Sequence, residues 1–95
     1  MLRDTVKTAL RLGAAAGEAL SSEIDRNIKA ARAELIRTGV PEQAAESGQA
    51  LIEDAIVTFC LMKLGNQNLY ERYREAWEYQ IDCIRKSDMG RINVQ

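Results

Sequence analysis

The chain falls into four runs in which apolar residues recur every three or four positions, separated by polar or glycine-bearing breaks. That spacing places them on one face of a helix, where a strand would need strict alternation. In the first run, residues 1–12, Leu2, Val6 and Leu10 fall on one line with Ala9 beside it. Asp4 stands in the first turn and Lys7 and Arg11 stand toward the end, an order that complements the helix dipole. Gly13 and the Ala14-Ala15-Ala16-Gly17 run then blur the pattern, and over residues 13–20 a weakly continued helix and a loop both remain open. A second helix is predicted over residues 21–38. Ser21 and Ser22 are its N-cap candidates, Glu23 and Asp25 lie in its first turn, and Ile24, Ile28, Ala31 and Leu35 form one narrow stripe. Gly39 suits a left-handed cap and Pro41 cannot continue the ladder, so the helix ends there.

Residues 41–48 read as a polar connector with room for one helical turn starting at Pro41. A third helix is predicted over residues 49–64. Its centre, residues 55–62, is apolar on nearly every side, and such a helix must be covered on several faces. Glu53, Asp54 and Lys63 near its ends argue against a membrane location, and no apolar run approaches the roughly 20 residues that a span requires. Gly65-Asn66 closes this helix and Asn68 opens a fourth, over residues 68–86. Tyr70, Tyr73, Trp77, Ile81 and Ile84 make its stripe, with Arg74/Glu78 and Asp82/Lys86 as i,i+4 ion pairs. Residues 87–95 lose the helical period. The alternation around Ile92 and Val94 leaves open strand addition to a partner or a frayed end. The expected fold is all-α: a single domain, a small bundle of about four helices around the apolar central one, with a short irregular C-terminal tail.

Composition narrows the function. Hydrophobic residues make up 46% of the chain and charged residues 28%, enough apolar surface to offset the entropy of ordering. A chain of 95 residues buries only about 60% of its unfolded surface, so partners would add needed stability. Thirteen basic and 14 acidic residues give a net charge of -1, without the basic excess that phosphate neutralisation needs. The absence of histidine removes the usual general base near neutral pH and the commonest metal ligand. The glycines match no phosphate-binding loop, and no Cys-x-x-Cys pair is present. Glu53-Asp54, near a helix start, is read as dipole complementarity in preference to a metal or acid-base pair. Cys60 and Cys83 are read as reduced, buried small hydrophobes, with no signal peptide expected ahead of them. No catalytic residue, cofactor or metal is expected, and the chain is expected not to be an enzyme.

The aromatic group Tyr70, Tyr73, Trp77 and Tyr79 shares its helix with Glu71, Glu75 and Glu78, which disfavours a base-stacking platform in a basic groove. Core packing or a protein interface is the better reading. Tyr73 and Trp77 are expected on the central helix, and Tyr70 or Tyr79 at a rim.

The order of these features resembles a known family. Val6-Lys7-x-Ala9-Leu10-Arg11-Leu12 is similar to the opening of the phage head-tail connector family, whose members are also described as phage DNA-packaging proteins. Glu23-Ile24, Ile28-x-Ala30-Ala31 and the closing Gly39-Val40 follow in order. Leu51-Ile52-x-x-Ala55-Ile56, Phe59-Cys60, Leu64-Gly65, Tyr70-Glu71-Arg72-Tyr73 and Tyr79 complete a likeness that covers residues 1–87. The chain departs from the family over Gly13–Leu20, where an acidic segment with Asp and Thr is usual.

The resemblance implies a virion protein, made in the host cytoplasm. It would be a structural subunit of a ring, twelve-fold in the particle, that docks under the portal protein. Such a ring extends the DNA channel and presents a surface to a stopper or tail-completion protein, while phage DNA passes without sequence-specific contact. On this reading the candidate subunit or partner interface comprises Tyr70, Arg72, Tyr73, Trp77, Ile92 and Val94, with the tail as a segment that orders on the portal or stopper. The alternative is a small helical DNA-binding regulator or packaging factor, for which Arg26, Asn27, Lys29 and Arg32 on the second helix are the candidate reading face.

Overall fold

The computed structural model of the protein describes residues 2–86, so the tail positions Ile92 and Val94 lie outside the described residues. Within that range the chain is all-helical, with six α-helices and one 3-10 turn. They are α1 (Leu2–Leu10), α2 (Ala14–Ala19), α3 (Ser21–Arg37), α4 (Glu42–Ala45), α5 (Ala50–Leu64), a 3-10 turn (Gln67–Leu69) and α6 (Tyr70–Lys86). The Ala-rich stretch is thus the short helix α2, and the connector after Pro41 holds one turn, α4.

Two helices stop in the same way for different residues. At the end of α3, Gly39 takes φ 113°. Its N–H donates to Ile36 O and the Val40 N–H donates to Leu35 O, both at 3.0 Å. That is a Schellman cap, with Val40 and Leu35 buried together as its apolar clasp. At the end of α1 the same pair of bonds forms, Arg11 N–H to Thr8 O at 3.0 Å and Leu12 N–H to Lys7 O at 3.2 Å. Here the left-handed position, φ 59°, is occupied by Arg11. The first helix therefore ends at Leu10, two residues before the sequence boundary, and Gly13 lies just ahead of α2.

The serine caps expected for α3 do not form. Leu20 stands at the N-cap position, and the Ser21 hydroxyl donates back to Gly17 O at 3.0 Å. Leu20 joins the two helices: its N–H donates to Ala16 O of α2 at 3.1 Å, and its carbonyl accepts the Ile24 N–H of α3 at 2.8 Å. Between α5 and α6 the cap is Asn66, whose side-chain oxygen accepts from Asn68 N–H at 2.9 Å, and α6 begins at Tyr70. Gly65 is extended, with φ -89° and ψ -161°, so no left-handed turn calls for glycine there. Close approach does: a Cβ at Gly65 would sit 2.5 Å from Leu61 O.

The apolar helix α5 packs against α6, α3 and α1. Ile52, Ala55, Ile56 and Cys60 are fully buried, and Phe59 and Met62 nearly so. The stripes of the other helices meet it: Val6 from α1, Ile24, Ala31 and Leu35 from α3, and Trp77, Ile81 and Ile84 from α6 share one core. The Phe59 and Trp77 rings meet with centroids 5.0 Å apart and planes tilted by 58°, a favoured aromatic geometry. The Lys63 ammonium lies over the Phe59 ring, 5.4 Å from its centroid.

Candidate partner surface

Side-chain placement divides the aromatic set. Trp77, 6% exposed, is buried in the α5–α6 seam and serves the chain's own core. Tyr70 and Tyr73 are half-buried against that core, Arg72 is exposed, and Tyr79 is 70% exposed. The Tyr79 hydroxyl, hydrogen-bonded with the Cys83 thiol one turn later, titrates above the usual tyrosine range.

Tyr73 faces a cleft of about 400 Å³ where three helix ends converge. Ala9, Leu10 and Arg11 come from the end of α1, and Leu61 and Gly65 from the end of α5. Asn66 and Leu69 belong to the connection, and Tyr73 to the first turn of α6. Leu10, Leu61, Leu69 and the Tyr73 ring give apolar walls, while Arg11 and Asn66 bring donors. Arg11 has no carboxylate partner among the described residues. Of this group only Tyr73 is legible as an interface candidate in the sequence. Gly65-Asn66 signals a helix end, but nothing local signals that α1 ends beside it.

Elsewhere among the described residues a minority of the charged side chains meet in ion pairs. Arg3 clasps Asp25 with two bonds, 2.9 and 2.5 Å, tying α1 to α3, and this hydrogen bonding holds the Asp25 carboxyl below its ordinary range. Arg37 does the same for Glu34. Arg74 bridges Glu71 at 2.7 Å and Glu78 at 2.8 Å, and Lys86 meets Asp82 at 2.9 Å. The proposed DNA-reading face of α3 is partly spent inside the fold. Arg32 donates to Ala45 O at 2.7 Å, pinning α4, and the Asn27 amide donates to Glu23 O at 2.9 Å. Arg26 and Lys29 remain exposed.

Both cysteines are free; Cys60 is buried and Cys83 partly so. Burial pushes the Cys60 thiol up to about 11, so it stays protonated and unreactive near neutral pH. Among the described residues, no helix is long and apolar enough to cross a membrane, and no group of three or more His, Cys, Asp or Glu residues is placed to hold a metal. No family model, curated protein or solved structure matches the chain.

Proposed function

We propose that this protein is a non-enzymatic structural subunit of a tailed-phage head-tail connector ring. In that role it docks under the portal, extends the DNA channel and joins head to tail. Its architecture, on this reading, is a bundle of four main helices, α1, α3, α5 and α6, gathered around the apolar α5.

The observation that carries the reading is where the family-like residues fall. Ile52, Ala55, Ile56, Phe59 and Cys60 supply the buried face of α5, Gly65 permits the tight exit, Tyr70 packs half-buried against the core and Tyr73 lines the cleft beyond it. The second half of the likeness, from Leu51 onward, therefore builds one continuous hairpin of α5 and α6. Surface features are compatible with assembly: Leu51 is 45% exposed in the first turn of α5, and Tyr79 and Arg72 stand outward on α6. A net charge of -1 suits a channel wall along which DNA must slide, since a strongly basic lumen would hold phosphates by counterion release.

The test is co-assembly. Purified protein mixed with portal rings should give a discrete higher-mass complex by native mass spectrometry and light scattering, with twelve copies per portal. Failure to co-assemble at any concentration overturns the proposal. The regulator reading receives less support, because Arg32 and Asn27 are engaged within the fold. A duplex-DNA gel shift that weakens steeply with salt would revive it.

A further inference from the structure

We propose that residues 87–95 of one copy seat Ile92 and Val94 in the cleft at the α1–α5–α6 junction of the next copy, making the contact that links subunits head to tail. The inference rests on the ring reading above and assigns its subunit joint.

The match is one of shape and chemistry. Ile92 and Val94 are two positions apart, so in an extended segment both side chains point the same way. The cleft is half open and mixed in character: Leu10, Leu61, Leu69 and Tyr73 line it for the aliphatic side chains, beside a larger share of polar surface for the main chain that carries them. Its volume, about 400 Å³, falls within the range of clefts that hold small organic groups and admits two branched aliphatic side chains. Polar groups at the rim suit the flanking main chain. Arg11 has no carboxylate partner among the described residues, and the Asn66 amide keeps its NH₂ donors while its oxygen caps Asn68.

Reach decides between the chain's own cleft and a neighbour's. From Tyr73 to Lys86 there are 13 helical steps, about 20 Å at 1.5 Å each. Ile92 lies six residues beyond Lys86, a span of at most about 20 Å when fully extended. Docking at home would need a taut run doubled back along α6, with no slack for the reversal. A neighbour arranged head to tail presents its cleft without that turn. Because cleft and tail lie at opposite ends of α6, the contact is heterologous, the kind that closes into rings.

Two full-length copies in a Cys83→Ser background test this, one carrying Ala9→Cys at the cleft rim and the other Val94→Cys. Cys60 does not compete, being buried and protonated. Mixed under mild oxidation, they should give at least tenfold more Ala9→Cys/Val94→Cys heterodimer than either homodimer, and Ile92→Asp in the tail copy should abolish the excess with the circular dichroism spectrum unchanged. Heterodimers in the statistical ratio, an excess that survives Ile92→Asp, or closure within one doubly substituted copy would each overturn the proposal. Portal co-assembly with only statistical disulfides removes the tail joint and leaves the connector reading standing. The heterodimer excess without portal co-assembly does the reverse.

Discussion

Helices α5 and α6 pack along one another through the Phe59–Trp77 contact, yet they relate to water in opposite ways. Across α5 the apolar residues are spread around the whole circumference, and three other helices cover it. α6 keeps one apolar stripe and lines its outer face with ion pairs centred on Arg74 and Lys86. The difference separates two jobs. α5 holds the fold together, because its buried side chains are removed from water and the helix as a whole packs against α1, α3 and α6. α6 leaves an outer face whose exposed positions can change with little effect on the core, and that is the face on which the proposed partner contact is drawn.

That division can be broken most directly at Ile56. Ile56→Ala should cost about 3 kcal/mol, the transfer term plus a cavity, read as a lower urea midpoint with an unchanged slope. Next in size is an alkaline weakness specific to α5. The Cys60 thiol ionises near 9 when unfolded and about 11 when folded, so its stabilisation is intact below pH 9. Between pH 9 and 11 the unfolded chain loses its proton first, and stability falls by on the order of 2 kcal/mol. Urea midpoints across that range should decline more steeply for the natural chain than for Cys60→Ala.

The junction between the helices comes third. Gly65→Ala sets a Cβ against Leu61 O, and the required backbone shift should cost about 1–2 kcal/mol, seen as a lower thermal midpoint. The smallest change sharpens the comparison from the α6 side. Gln80 is half-buried beside the apolar stripe of α6, with its side-chain oxygen buried and without a hydrogen-bond partner. Gln80→Leu should therefore stabilise the protein by about 1 kcal/mol, whereas a polar substitution at an inward α5 position should do the opposite.

Much of the helical layout was legible because it is local. The three-four spacing of Ile24, Ile28, Ala31 and Leu35 marks α3, and Gly39 marks its end through a backbone angle that glycine favours. The all-round apolarity of α5 pointed to a helix covered on several sides. What escaped depends on contacts between distant residues. Arg11 holds a left-handed cap usually given to glycine, so the nearby Gly13 drew attention to the wrong position. Ser21 looks like a cap, but α2 runs almost directly into α3, so Leu20 takes the cap position and the Ser21 hydroxyl turns back to donate to Gly17 O. Arg32 reads as a surface cation until the fold brings Ala45 O within 2.7 Å. The cleft was illegible for the same reason: Leu10 and Leu61 are 51 positions apart, and only the packing of α1 on α5 makes them neighbours.

The chain contains a single tryptophan, and it is Trp77 in the α5–α6 seam. The protein thus holds its own optical reporter. An indole shut away from water emits at shorter wavelength, so a red shift will register any parting of the two helices. Since Tyr73 sits one turn before Trp77 and borders the cleft, a segment arriving there should perturb the same emission without an added dye.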